Sequence, residues 1–317
     1  MSTLLVGGGS FIGAHIVRDL LAAGERVVAY DLDVRHNAIH RILTPAELAR
    51  VTFVPGDVLD ALGLLQVARR HEVRDIVHLA AALIPTCQAQ PALGVRVNVD
   101  GFNHVLEVAH LIGARRVVWA SSIAVYGPQS RYEGDPDEDA PHWPTNVYGA
   151  TKSMNEFMAR HYHQAFGVES VGFRFTVVYG AWRMRGALAY QLGHELLEKP
   201  AHGEAARVPA GDTPINWQHV QDAAQAMLLA LRHLGPVGAR VYNTGGEVLL
   251  VREAAAIVQR LLPQARIEVE PGTIPTFARL SIARAQKELG YQPRYDFETG
   301  ARQTIDEYRG RQGLPPI

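Results

Sequence analysis

Short apolar runs alternate with amphipathic stretches through the first half of the chain. The runs at residues 3–6, 26–31, 51–55, 75–79, 116–120 and 172–178 read as β-strands, and a helical period runs through 11–23, 62–71, 95–112 and 151–166. Such alternation predicts an α/β fold, a doubly wound parallel sheet with helices on both faces. Ligands of these sheets bind beyond the carboxyl ends of the strands, where the strand order reverses. Past residue 180 the pattern loosens. A helix is expected at 187–198, another at 222–233 and a strand at 240–243, and the remainder, from 253–262 to 299–309, is mixed. The expected division is a larger unit of residues 1–176 and 214–246, interleaved with a smaller C-terminal substrate-binding unit of 177–213 and 247–317. Residues 129–146, rich in Pro, Asp and Glu, read as a surface loop.

Composition narrows the function classes. The 317 residues are 47% apolar and 20% charged, with 31 basic and 32 acidic side chains and a net charge of -1. That balance carries no electrostatic footprint for nucleic acid or an anionic membrane. No stretch approaches the roughly 18 uninterrupted apolar residues of a membrane span. Met1-Ser2-Thr3 leads directly into a strand-like run rather than a leader, so the cytoplasm is the expected location. Cys87 is the single cysteine, which excludes an internal disulfide and a cysteine-based zinc site. No metal is expected. His36 and His40 have helical spacing, but no carboxylate pattern completes a site around them.

The first strand runs into Gly7-Gly8-Gly9-Ser10-Phe11-Ile12-Gly13, which opens the first helix. Glycines there permit positive φ and close backbone approach, and the helix N-terminus offers free N–H groups to a pyrophosphate. This points to a Rossmann dinucleotide site, with Ser10 in place of the usual middle glycine. Asp31 ends the second strand, 18 residues beyond Gly13. A carboxylate there accepts both ribose hydroxyls of an adenosine and repels a 2′-phosphate, so NAD is favoured over NADP. Arg35 nearby keeps NADP open, and Asp33 is a competing carboxylate better read as a turn residue. Asp57 ends the third strand, where an adenine can be capped, although a lone Asp at a strand end is more often a turn residue.

Tyr148-Gly149-Ala150-Thr151-Lys152 starts a helix, and residues four apart share a face. A free tyrosine, with a pKa of about 10, is a poor base at neutral pH, and a neighbouring ammonium lowers that value. Tyr148 can then take a proton from a substrate hydroxyl or return it. Ser122, in Ser121-Ser122-Ile123-Ala124-Val125-Tyr126-Gly127 after the fifth strand, can polarise the substrate oxygen.

These motifs, with Gly56-Asp57, His78-Leu79-Ala80-Ala81, Phe173-Arg174-Phe175, Val241-Tyr242-Asn243 and Leu289-Gly290-Tyr291-Gln292-Pro293, run nearly end to end. In this order they resemble the extended short-chain dehydrogenase/reductases, the NAD-dependent epimerase/dehydratase family. The resemblance implies Ser122, Tyr148 and Lys152 as a catalytic triad. It implies a cofactor site of Gly7, Gly9, Ser10, Phe11, Ile12, Gly13, Asp31, Asp57, Val58, Leu79, Ala80 and Ala81, joined by Tyr148 and Lys152. It also implies a homodimer built on helices 95–112 and 151–166. Asn98, in the first of these, is a candidate brace for the backbone near the site. Leu83, Ser122, Ile123, Thr176 and Val177 are the expected substrate contacts.

Departures from the family pattern narrow the chemistry. Dehydratases of the family carry Asp-Glu where this chain has Ile123-Ala124, side chains that cannot transfer protons. Nucleotide-sugar epimerases usually carry Asn at Val177 and an arginine at Ile215 that grips the diphosphate. Losing that guanidinium removes a bidentate contact, although Arg183, Arg185 or Arg207 can substitute. Leu79-Ala80-Ala81-Ala82-Leu83 and Trp119-Ala120-Ser121-Ser122 are similar to short-chain L-threonine dehydrogenases, but Thr176-Val177 replace that branch's Pro-Gly. The expected activity is therefore NAD-linked hydride transfer at a secondary alcohol or ketone of a small polar substrate: a sugar, sugar acid or hydroxy acid. A nucleotide-sugar 4-epimerase with tightly bound NAD is the alternative. A dinucleotide-binding sensor without turnover is a further one, and the retained Ser122, Tyr148 and Lys152 speak against it.

Overall fold

The computed structural model describes residues 2–183, 186 and 188–317. Its strands are β1 (Ser2–Val6), β2 (Arg26–Asp31), β3 (Val51–Pro55), β4 (Val73–His78), β5 (Arg116–Ser122), β6 (Ser170–Phe175), β7 (Val177–Tyr179), β8 (Ala206–Val208), β9 (Pro214–His219), β10 (Ala239–Asn243), β11 (Glu247–Leu250) and β12 (Ile267–Val269). Seven of them form a parallel sheet in the order β10-β6-β5-β4-β1-β2-β3. The order reverses between β1 and β4, which defines the crevice for a ligand. Central strands are buried on both faces, which is why they read as unbroken apolar runs rather than alternating ones.

The principal helices are α1 (Phe11–Ala22), α2 (Ala61–Arg70), α3 (Gly101–Ile112), α4 (Val147–Phe166), α5 (Val220–Arg232), α6 (Val251–Leu261) and α7 (Phe297–Arg311). On one face of the sheet, Leu20 and Leu21 of α1 and Met227 and Leu231 of α5 share a core with Val77, Val118 and Phe173. On the other, Phe102 and Leu106 of α3 and Ala159 and Tyr162 of α4 pack on Leu4, Ile76 and Trp119. A separate core joins Leu192 and Leu196 to Trp217, Val258 and Phe297.

Two expected elements are divided in the structure. The run at 172–178 is two strands, because the chain leaves the parallel sheet at Thr176 and β7 pairs with β9 in a second sheet, β11-β9-β7. The helix expected at 95–112 is a short helix Pro91–Val95, a π-turn Arg96–Asp100 and then α3. The helix expected from 187 begins outside the described residues; Leu188–Gly193 is helical and continues as a π-turn, His194–Glu198. Strands β9 and β11, the β8–β12 pair and the helices α6 and α7 supply order in the region that looked loose. The segment 129–146 is more than a surface loop. Its Glu138 is buried, accepts the Asn243 N–H at 2.8 Å and anchors the segment to the edge strand.

Candidate active site

The cradle at the switch point is built from backbone. Gly7 has φ of +78°, and a Cβ there would lie 2.4 Å from the Ala80 nitrogen. A Cβ at Gly13 would lie 2.6 Å from the Gly8 carbonyl oxygen, so both positions demand glycine. Ser10 is the N-cap of α1: its Oγ accepts the Gly13 N–H at 3.2 Å and keeps its own proton free to donate outward. The N–H groups of Leu79 and Ala80 both donate to the Val6 carbonyl, at 2.8 and 3.1 Å. That turns the chain across the mouth of the crevice and brings Ala80 against Gly7.

Asp31 accepts the Gly9 N–H at 2.8 Å. Burial pushes its carboxyl pKa up, and the N–H groups of Gly9, Asp33 and Leu32 pull it back. Asp33 instead closes a turn, accepting the N–H groups of Arg35 and His36. Asp57 accepts the Leu59 N–H at 2.9 Å, while its carbonyl takes the Tyr30 hydroxyl. Val58 is buried against Gly101, where a Cβ would meet it at 2.8 Å, and therefore holds α3 rather than facing outward. Phe11 is buried in the core below the cradle. Ile12 is partly buried and packs against that core.

Ser122 closes β5, and Asn146 caps α4 through the Gly149 N–H at 2.8 Å. A Cβ at Gly149 would lie 2.3 Å from the Ala124 carbonyl, so glycine lets α4 dock its first turn on the end of β5. That docking sets Tyr148 beside Ser122, whose hydroxyl favours the phenolate. The Lys152 ammonium donates to the Ala120 carbonyl at 2.7 Å and lies 5.6 Å from the centre of the Tyr148 ring. Burial pushes Tyr148 up to about 12, against the pull of Ser122 and the charge of Arg183. It also lowers Lys152 to about 8. The lowered tyrosine expected from the spacing is reversed here, because desolvation outweighs the neighbouring positive charge.

Ser122 and Tyr148 open on a cavity of about 580 Å³. Leu83, Ile123, Thr176 and Val177 line it, so all five expected substrate residues share one space. So does Ile215, the position noted from the sequence as lacking an arginine. Of the proposed replacements, Arg183 lines the cavity, and Arg185 lies outside the described residues. Arg207 is exposed and ion-paired with Glu268 and Glu270. Asn98 was legible as a brace, and its side chain holds both backbone groups of Ala82 and reaches Thr151 and Cys87. Phe277 also lines the cavity, stacked on Tyr126 at 4.5 Å. It is 129 residues from Tyr148 and carried no local signal. His40 stacks on Phe53 and contacts Asn37 rather than pairing with His36. Among the described residues no helix is long and apolar enough to cross a membrane.

Residues 3–245 match the NAD dependent epimerase/dehydratase family. The chain belongs to that family. It is therefore an NAD-dependent enzyme, and the glycine cradle and Asp31 fit that cofactor. The UDP-glucose 4-epimerase of Azospirillum brasilense is 30% identical across 98% of this chain and 95% of its own. A UDP-glucuronate 4-epimerase of Arabidopsis thaliana is 28% identical over 98% of this chain and 76% of its own. In structure, UDP-glucose 4-epimerase of Thermus thermophilus, solved with NAD, aligns with a TM-score of 0.84 at 28% identity, over 98% of this chain and 99% of that one. With the Thermus thermophilus enzyme the chain shares its fold nearly end to end.

Proposed function

We propose that this family member catalyses hydride transfer between NAD and a secondary alcohol or ketone of a small polar substrate, with Tyr148 moving the proton. The observation that carries this is the placing of Ser122 and Tyr148 together on the wall of a cavity whose described lining contains one cation and no carboxylate. NAD, when bound, supplies the hydride acceptor or donor. Ser122 donates a hydrogen bond to the substrate oxygen and fixes it beside the phenol. Tyr148 accepts the hydroxyl proton in oxidation and returns it in reduction. The Lys152 ammonium favours the phenolate as it forms. Ile123 and Ala124, against the substrate, offer no second proton-transfer group for elimination of water. In this reading residues 1–176 and 214–246 carry the cofactor, and 177–213 with 247–317 shape the substrate. Pairing of two chains through α3 and α4 belongs to it as well, supported by the exposed Leu111, Met154, Phe157 and Phe166.

The test is cofactor reduction with a panel of sugars, sugar acids and hydroxy acids, in wild type and Tyr148→Phe. Turnover should fall at least about a hundredfold in the variant while NAD affinity stays within twofold. Equal activity in the two proteins would remove Tyr148 from the mechanism. The second reading, a nucleotide-sugar 4-epimerase, is favoured by the named activities of the relatives. It predicts conversion of UDP-glucose or UDP-glucuronate to the 4-epimer, seen by NMR, without accumulation of NADH.

A further inference from the structure

Arg183 is set apart from the other interior arginines. Arg174 is paired with Glu156, Arg116 with Glu169 and Arg115 with Asp75. Arg183 has no carboxylate partner among the described residues. Its surface is partly open, but it opens onto the cavity shared with Ser122 and Tyr148. One N–H, at Nη1, donates to the Val178 carbonyl at 2.8 Å, and the guanidinium lies 5.5 Å from the centre of the Phe11 ring. A guanidinium has five N–H donors in a planar fork, so most of this one remains uncommitted. Desolvation lowers its pKa to about 10, partly offset by Tyr148, whose hydroxyl is within electrostatic reach. A desolvated cation without a counter-charge is costly, and an anion arriving from outside relieves that cost.

We infer that Arg183 is the receptor for a carboxylate on the substrate, which makes the substrate a hydroxy acid or a sugar acid. This rests on the reading of Ser122 and Tyr148 as the pair that binds the alcohol. The rest of the wall agrees with a single anionic group. Among the described lining, Leu83, Ile123, Val177, Ile215 and Phe277 offer no charge, so Arg183 is the one cation there to meet an anionic group. The geometry also sets the order of groups. Arg183 holds the acid at the Phe11 side, toward the cradle, while Ser122 and Tyr148 take the hydroxyl.

Calorimetry on the NAD-loaded protein tests this with lactate, 3-hydroxybutyrate, glucuronate and galacturonate, each beside its methyl ester. At least one acid should bind about tenfold or more tighter than its ester, the scale of a charge-assisted contact. Arg183→Met should abolish that preference and Arg183→Lys should retain part of it, with NAD affinity unchanged in both. The inference is overturned if no acid in the set is preferred over its ester by the wild type. It is equally overturned if Arg183→Met keeps the preference, or if it loses NAD affinity, which would assign the guanidinium to the cofactor's pyrophosphate. Acid binding that depends on Arg183 without reduction of NAD by any of the four would leave the anion site standing and remove the oxidoreductase reading instead.

Discussion

Two buried cations, Lys152 on α4 and Arg174 on β6, are treated in opposite ways. Arg174 meets Glu156 through two hydrogen bonds, at 2.9 and 2.7 Å. It also donates to the Tyr126 hydroxyl at 2.6 Å and the Glu138 carbonyl at 3.2 Å. Burial alone would lower its pKa, and the Glu156 contacts reverse that and leave it above the ordinary value. Burial likewise works to raise Glu156, and Arg174 reverses that too. Lys152, one turn before Glu156, is 2% exposed, and its ammonium donates to a neutral carbonyl. Its pKa falls to about 8. The compensated charge fastens β5, β6 and the 129–146 segment together. The uncompensated one is held beside Tyr148, where a positive charge is useful only when the phenol loses its proton. A stability cost tolerated at one of two otherwise similar positions is a physical marker of function.

Breaking the compensated pair is expected to have the largest effect. Glu156→Gln leaves Arg174 as an unmatched interior cation and should lower unfolding free energy by about 3–5 kcal/mol. Denaturant titration checks it, and a loss below about 1 kcal/mol would mean the pair is not the fastening described.

Removing the uncompensated charge should act in the opposite direction. Lys152 has a folded-state pKa near 8, below its unfolded value near 10.5. Its penalty is therefore fully present below pH 8 and is relieved as pH rises from 8 to 10.5. Lys152→Met should stabilise the protein at pH 7 by about 1–3 kcal/mol while abolishing turnover. The wild type should gain stability across that alkaline window and the variant should not. Melting curves at pH 7 and pH 10 decide it, and destabilisation of Lys152→Met at pH 7 would contradict the comparison.

An effect confined to acid, and absent at pH 7, concerns His78, buried beside Phe102 with neither ring nitrogen hydrogen-bonded. Burial, with the charge of Lys152, lowers its pKa to about 3. Its contribution is present above the unfolded value near 6.5 and is lost as pH falls from there toward 3. His78→Phe should flatten the acid limb of the stability curve by about 1 kcal/mol per pH unit over that range. An unchanged acid limb would show that His78 does not titrate against folding.

The features legible in the sequence are those imposed by backbone geometry. Gly7 and Gly13 are required by contacts a few residues or one strand away, and Asp31 by its place at the end of β2. Tyr148 and Lys152 share a helix face because the helical repeat dictates it. What stayed hidden depends on distant partners. The end of β6 at Thr176 follows from where β9 lies, 38 residues on. The π-turn at Asn98 accompanies an amide bonded to Ala82 and to Thr151, 53 residues away. Glu138, acidic in an acidic stretch, gave no sign of being buried against Asn243. The direction of the Tyr148 shift depends on how much protein surrounds it, a quantity that spacing does not encode.

The parallel sheet is completed by β10, at residues 239–243, and α1 is covered by α5, at 220–232. During synthesis, a nascent chain that already contains the cradle, Tyr148 and Lys152 still exposes the edge of β6 and the apolar face of α1. With elongation at about 5–20 residues per second, that interval lasts several seconds before the closing elements emerge. The half of the molecule that carries the cradle and Tyr148 is thus translated well before its closing elements can cover it.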